Sequence, residues 1–432
     1  MQAQEQNQEL PAPTPRQLAL LSVPALVIGI ITALTLWALE AVAGVLEDLV
    51  WTTLPDTIGV DPSGWWIVAV LTTTGLLVGL CLQLLPGHGG PDSATTELME
   101  PPLKLRTLPS IAIVTVLGLA GGVSLGPENP IIAINVALAV ALLARFMPMV
   151  PPRLAMLMAA AGTIGALFGT PVAAALVFTG MVGTLAMPGS LWDKLFLPLA
   201  SAAAGAATMH VLGVPPLAFS VPPSTVDPLD VLVGVTVACA AVLIGLLAVI
   251  ALPVVHRMFH AMRSPILIAT LGGFVLGMLG LVGGPITMFK GLDQMGELLA
   301  DPDAYSAGDL ALIVVIKLAA LVVAASAAFR GGRVFPATFI GVAIGMLGHA
   351  LIPGLPLGLA VACGLIGMLL VATRDGWLSL FMAAAVSGDI ALLPWLCVII
   401  LPAWLLVMRA PELRIAPTAA EARPAEAQPG AP

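Results

Sequence analysis

The sequence is poor in charge and in aromatic residues. Only 9% of its 432 residues are charged, 5% are aromatic, and a single tyrosine is present. So few charges cannot cover the surface of a water-soluble domain, and this composition therefore excludes an ordinary soluble protein. What is present instead is apolar: hydrophobic residues make up 59% of the chain, and the mean hydropathy is +1.06. We predict an all-α polytopic membrane protein whose main partner is the lipid bilayer.

Cysteine is also scarce, and motifs for catalysis are missing. The four cysteines stand singly within apolar runs, which favours buried thiols over a metal site or a disulfide pattern: Cys81, Cys239, Cys363 and Cys397. The sequence contains no HExxH, no GxSxG and no phosphate-binding loop. We therefore predict no catalytic residue, no metal and no cofactor. A membrane enzyme that uses His88, Asp92 and Glu128 is the remote alternative.

Basic residues are outnumbered by acids, 16 to 24, which gives a net charge of −8. That balance favours neither nucleic acid nor an anionic membrane surface as a partner. The first sixteen residues, MQAQEQNQELPAPTPR, are polar and lack a basic region before an apolar run. We therefore predict no cleavable signal peptide, and we interpret the first apolar run as a true membrane helix.

Long apolar runs divide the chain into two halves. Runs such as 18–39, 231–252 and 313–328 can span about 30 Å of hydrocarbon. A proline-rich stretch separates the halves and predicts a linker. The predicted organisation is a polar N-terminal tail, a first membrane repeat, the linker, a second membrane repeat and a disordered C-terminal tail: residues 1–16, 17–212, 213–228, 229–410 and 411–432.

The stretch 121–133, GGVSLGPENPIIA, places one carboxylate in an apolar neighbourhood. Glu128 stands between Pro127 and Pro130, just where an apolar run begins. Proline is tolerated in the first turn of a helix, so the pattern predicts a helix that begins inside the hydrophobic layer. The free N–H groups and the positive dipole end of such a helix favour an anion site.

The two halves echo each other. Gly121-Gly122 precedes the helix start of the first half, and Gly331-Gly332 stands in the corresponding place in the second. A glycine-punctuated helical segment follows each of them, at 161–170 and at 363–373. Interrupted apolar segments at matching positions are typical of an inverted-repeat transporter with its site near the membrane midplane.

Three motifs in order resemble the chloride channel and transporter (CLC) family. They are GHGGP at 87–91, GPENP at 126–130 and GRVFP at 332–336. The sequence around these motifs resembles more closely a bacterial ion-transport branch of that family, the YfeO type. The resemblance implies a CLC-like inverted repeat of tilted and broken helices, and a homodimer in which each subunit has its own pore. It also implies transport of a chloride-like inorganic anion across the bacterial inner membrane.

The resemblance also implies roles for particular residues. Glu128 matches the gating glutamate, whose carboxylate competes with the anion for the pore. His88 stands where the family has a serine that binds the anion. The rest of the implied anion pathway consists of neighbouring motif positions, several of which offer backbone N–H groups: Gly89, Asn129, Arg333, Val334 and Phe335.

Two departures from the family pattern concern protons. The position of the internal proton-relay glutamate falls on Met181, which Gly180 precedes. The pore tyrosine is missing, because Tyr305 lies in a polar loop. Transport without the standard proton route is therefore expected. A proton-coupled antiporter, for fluoride or another halide, is the alternative.

A histidine pair has the i, i+4 spacing of helical metal ligands. His256 and His260 in HRMFH stand beside Arg257 and Arg263 after a proline. A basic cluster at a membrane edge is the favoured interpretation, and a metal-ligand pair is the alternative.

Two lysines, Lys290 and Lys317, lie in or near apolar segments without an assigned role. Lys317 could pair with a carboxylate or face the pore, and the sequence leaves both possibilities open.

Overall fold

The computed structural model describes residues 14–97, 99–183, 190–215, 217, 219, 221 and 225–415, with the side chains of 181–183 left aside. The regular secondary structure of this described part is helical. Its single β-type feature is an isolated backbone bridge between two loops. The predicted all-α class is confirmed.

The helices fall into two groups of eight along the chain. The first group is α1 (Pro15–Asp48), α2 (Leu54–Ile58), α3 (Trp65–Leu84), α4 (Leu108–Ala120), α5 (Glu128–Phe146), α6 (Pro152–Phe168), α7 (Pro171–Gly183) and α8 (Leu191–Val211). The second group is α9 (Pro228–His260), α10 (Pro265–Gly283), α11 (Leu292–Ala300), α12 (Ala307–Ser326), α13 (Val334–Leu351), α14 (Leu357–Thr373), α15 (Gly376–Ser387) and α16 (Leu393–Val407).

Many of these helices can cross a membrane and several cannot. Eight helical segments of the described residues are long and apolar enough to span a bilayer. Others are apolar but short: α4, α6, α7, α14 and α15. A 17-residue helix such as α6 or α14 is about 26 Å long, less than the hydrocarbon thickness of about 30 Å. Such short helices fit the broken-helix arrangement that the sequence predicted.

The two groups of helices have matching lengths and contacts. The long first helices α1 and α9 have 34 and 33 residues, and α5 and α13 have 19 and 18. Helix α1 packs on α6 and α8, and α9 packs in the same way on α14 and α16. Helices α3 and α10 join the halves, and they approach closely because Gly75 and Gly273 each face a backbone carbonyl of the other helix. The predicted inverted-repeat fold is therefore confirmed.

The ends of the two repeats show one departure from the predicted organisation. Helix α8 ends at Val211 and α9 begins at Pro228, on either side of the partly described linker. The predicted disordered tail was set at 411–432, but its first five residues pack against the protein. The backbone N–H of Ile415 donates to Ala94 O at 2.8 Å, and Leu413 is buried. Residues 1–13 and 416–432 lie outside the described residues.

Candidate anion site

The loops that precede α5 and α13 meet at the centre of the fold. Gly126 N donates to Gly332 O at 2.9 Å, and Gly332 N donates to Gly126 O at 2.7 Å. This antiparallel bridge holds the N-terminal ends of α5 and α13 side by side. Each end offers free backbone N–H groups and a positive dipole end, so the junction favours negative charge.

Glu128 occupies this junction. It is the first residue of α5, as the sequence predicted, and only 2% of its surface is exposed. Its Oε1 accepts a hydrogen bond from Phe335 N at 2.8 Å, across the boundary between the repeats. Its Oε2 is buried without a hydrogen-bond partner among the described residues. The carboxylate therefore lies at the N-terminal end of α13, where free N–H groups favour negative charge.

Glycine leaves room for this carboxylate on both sides. A Cβ atom at Gly126 or at Gly332 would overlap Oε2 of Glu128. Neither glycine has a positive φ, so space and not backbone conformation is the reason for glycine here. The two glycines leave a seat that the Glu128 carboxylate fills, with Phe335 N as a donor to its Oε1.

The second-repeat motif contributes backbone donors. Val334 and Phe335 are buried at the first positions of α13, and the Phe335 ring packs on Phe168 with centroids 5.8 Å apart. Arg333 caps this helix, but its side chain turns away from Glu128. Its guanidinium donates to Thr96 O at 3.1 Å and to Leu413 O.

The first motif loop departs from the sequence-based assignment. His88 is exposed, and its Nδ1 lies 2.8 Å from Leu82 O, so the structure does not bring it to Glu128. Gly89 is buried, and its carbonyl accepts a hydrogen bond from Arg330 Nε at 3.2 Å. Sequence reasoning missed Ser93, whose Oγ donates to Phe329 O and accepts from Gly331 N, both at 2.8 Å. Ser93 therefore ties this loop to the loop before α13.

Two cavities approach the junction. The first, of about 340 Å³, has Phe335 in its lining together with Glu40, His210 and Asp293. The second, of about 300 Å³, is lined by Asn129 and by second-repeat motif and C-terminal residues, among them Arg333, Val334, Arg374 and Arg414. The predicted pathway residues Asn129, Arg333, Val334 and Phe335 thus all line one cavity or the other.

The two lysines have clear partners. Lys290 Nζ lies 2.6 Å from Glu40 Oε1, and it is near enough to Glu128 for the two charges to attract. Lys317 takes neither of the roles considered for it. It is fully buried, and its Nζ donates to Met288 O and Phe289 O at 2.7 Å each. The ring of Phe339 lies 5.0 Å from the same ammonium group, so Lys317 fixes the loop between α10 and α11.

The residues of the family's proton route lie elsewhere or outside the described side chains. Met181 belongs to α7, but its side chain is not among those described. Gly180 is exposed and lines a cavity near Trp377. The hydroxyl of Tyr305 lies 3.4 Å from Glu297 Oε1, in the loop between α11 and α12.

Comparisons with known proteins agree with this geometry. Residues 74–407 match the sequence model described as "Voltage gated chloride channel". The chain is 48% identical, over 93% of its length and 96% of theirs, to proteins named "Putative ion-transport protein YfeO" from Escherichia coli (strain K12 / DH10B) and Escherichia fergusonii.

Solved structures share the fold at low sequence identity. A slow cyanobacterial Cl⁻/H⁺ antiporter superimposes with a TM-score of 0.73 at 17% identity, covering 93% of this chain and 96% of its own. A CLC-type fluoride/proton antiporter gives a TM-score of 0.69 at 18% identity, covering 91% of this chain and 96% of its own. The match of the family model to most of the chain and the 48% identity to these relatives show that the chain belongs to the voltage gated chloride channel (CLC) family.

Proposed function

We propose that this protein moves a small inorganic anion, chloride or a similar halide, through a pathway that Glu128 gates. The observation that carries the proposal is the hydrogen bond from Phe335 N to the buried Glu128 Oε1, beside motif residues that line two cavities. The membership of the CLC family supports anion transport as the class of function. Relatives in Escherichia coli favour the bacterial inner membrane as its location. The homodimer that the resemblance implies is part of the proposal.

The gate works by exchange of one negative charge for another. Both the carboxylate and a halide are stabilised by the N–H of Phe335 and by the helix ends around it. They cannot occupy the seat together, because like charges repel strongly in a low dielectric. The anion therefore passes when Glu128 takes up a proton or swings aside, and the carboxylate returns after the anion leaves.

Transport without proton coupling is the favoured form, because Met181 stands where the family's relay has an acid and no tyrosine lines the site. A proton-coupled antiporter, for fluoride or another halide, is the second candidate. The fold that the chain shares with a fluoride/proton and a Cl⁻/H⁺ antiporter favours that candidate. Both forms use the same gate.

The test measures anion efflux and proton flux together in proteoliposomes, with chloride and fluoride compared. Glu128→Gln should remove the pH dependence of anion efflux, because an amide cannot ionise. The matched control is Asp61→Asn, which changes an exposed acid in the loop before α3. Wild type and Glu128→Gln with the same pH profile would refute the gate. Proton flux in fixed proportion to anion flux would establish the antiporter.

A further inference from the structure

A cluster of three metal-binding side chains joins the two repeats away from Glu128. His256 and His260 lie one turn apart near the end of α9, and Asp92 follows the first motif in the loop after α3. Both His256 Nε2 and His260 Nε2 lie 3.4 Å from Asp92 Oδ2. The two imidazole rings stack with centroids 3.7 Å apart, so both rings face the same carboxylate.

These separations fit metal ligands better than hydrogen bonds. An N–H···O bond to a carboxylate is usually about 2.7–2.9 Å long, clearly shorter than 3.4 Å. Tetrahedral Zn²⁺ holds nitrogen and oxygen ligands at about 2.0–2.1 Å, which places the ligand atoms about 3.3–3.4 Å apart. All three ligand atoms lie within 4.8 Å of one another. One ion can thus contact all three after small side-chain movements.

Two further polar atoms of the cluster, one on His260 and one on Asp92, bind backbone groups. The Nδ1 of His260 lies 3.0 Å from His256 O, so an N–H there donates to that carbonyl and leaves Nε2 free as a ligand. Asp92 Oδ1 accepts from Ala94 N at 3.0 Å, which leaves Oδ2 to face the histidines. Metal-binding histidines commonly use a backbone carbonyl in this way to fix ring orientation.

One positive charge lies near the cluster. The guanidinium of Arg330 interacts with the Asp92 carboxylate, so it opposes a bound cation, and only moderate affinity is expected. Its guanidinium is bound to Gly89 O and Ala328 O and makes no hydrogen bond to Asp92 in the structure. About a fifth of the side-chain surface of His256 and Asp92 and a third of that of His260 are exposed, which gives an ion access.

We propose that Asp92, His256 and His260 form a binding site for a divalent transition metal such as Zn²⁺, with a water molecule as the fourth ligand. Two imidazoles exclude Mg²⁺ and Ca²⁺ as the preferred ions, because those ions favour oxygen ligands. The bound ion would link α9 of the second repeat to the first motif loop. That loop also carries Ser93, which holds Gly331 one residue before the bridge at Gly332.

The experiment titrates the purified full-length protein, stripped of metal with a chelator, with Co²⁺ and then displaces it with Zn²⁺. The visible absorption of Co²⁺ reports tetrahedral coordination directly. Wild type should bind one ion per chain, more weakly than a closed four-ligand site, because it offers three protein ligands beside the charge of Arg330. His260→Gln and Asp92→Asn should each weaken binding at least tenfold. His349→Gln, a histidine outside the cluster, should leave binding unchanged.

Each result decides the proposal. Stoichiometric tetrahedral binding that both cluster variants weaken establishes the site. Wild-type protein that takes up no ion, or cluster variants that bind as tightly as wild type, overturn it. If Asp92→Asn does not fold, His260→Gln alone decides, because that side chain is the most exposed of the three and sits at a helix end. None of these outcomes depends on transport, so the proposed function is tested separately.

Discussion

The loops GPENP and GRVFP occupy equivalent places in the two repeats but supply opposite halves of one interaction. They run antiparallel and exchange two hydrogen bonds through Gly126 and Gly332. The first loop then offers a carboxylate, that of Glu128. The second offers a backbone N–H, that of Phe335. The second repeat thus supplies the hydrogen-bond donor, Phe335 N, and the first repeat supplies the acceptor, the Glu128 side chain.

The two motifs carry opposite charges, but these charges do not pair with each other in the structure. An acid in one repeat and Arg333 in the other look like an ion pair, yet the structure directs Arg333 to Thr96 O and Leu413 O. The anion site is built from a side chain and main-chain dipoles. The arginine instead holds the C-terminal residues near one cavity.

The largest expected effect comes from filling the glycine seat. Gly332→Ala should destabilise the protein by about 1–3 kcal/mol, because its Cβ overlaps the Glu128 carboxylate. In a chain that already carries Glu128→Ala, the same change should cost much less, because the overlapping atoms are gone. Thermal unfolding in detergent of the single and double variants measures the coupling.

Gly126→Ala is the matched variant on the other loop, where the nearest atoms also belong to Glu128. If the two loops contribute equally to the seat, both alanines couple to Glu128 to a similar extent. A coupling at only one glycine would show that the loops are not equivalent. Equal destabilisation with and without the Glu128 carboxylate would contradict the seat itself.

A smaller effect is expected from Arg333→Gln. Loss of the guanidinium removes its hydrogen bonds to Thr96 O and Leu413 O, at a cost of about 1–2 kcal/mol. Hydrogen exchange at Leu413 and Ile415 should become faster, while the pH dependence of anion efflux stays as in wild type. The control is Arg145→Gln, an exposed arginine at the end of α5. A weaker apparent affinity for the anion with unchanged exchange would instead place Arg333 in the pathway.

The smallest effect is expected from the charges beside the first cavity. Lys290→Gln removes a positive charge that attracts Glu128, so protonation of Glu128 becomes easier. The midpoint of the efflux-against-pH curve should therefore move to higher pH, by roughly half a unit. Glu40→Gln leaves Lys290 without its partner at 2.6 Å and should move the midpoint the other way. Shifts in the same direction for both variants would show that these charges do not act on the gate.

The sequence alone predicted the helix start at Glu128 and the repeat, because both depend on local chemistry. The family was predicted from the resemblance of three motifs. Prolines, glycines and apolar runs mark helix ends wherever they occur. The direction of the His88 side chain could not be predicted from GHGGP, because the loop after α3 contains turns without a regular helix. Ser93, which ties that loop to the loop before α13, lies just beyond the motif, and no sequence pattern marked it as a hydrogen-bonding residue.

Hydrogen bonds from a side chain to main-chain carbonyls far away in the sequence could not be predicted. Lys317 binds two carbonyl groups in a loop about 28 residues away, and any residue can supply a carbonyl. The order of residues 411–415 depends on the same kind of contact, with Arg333 and Ala94 as partners. For His256 the spacing was visible, but its carboxylate partner Asp92 is 164 residues away.

The hydrogen bond between Phe335 and Glu128 has a consequence for synthesis of the chain. Its two ends are 207 residues apart, so the acid leaves the ribosome well before the group that binds it. At about 5–20 residues per second, this interval lasts about 10–40 s. For that time Glu128 lacks the backbone donor that it has in the finished protein. The carboxylate and its Phe335 partner therefore meet only after most of the second repeat has been made.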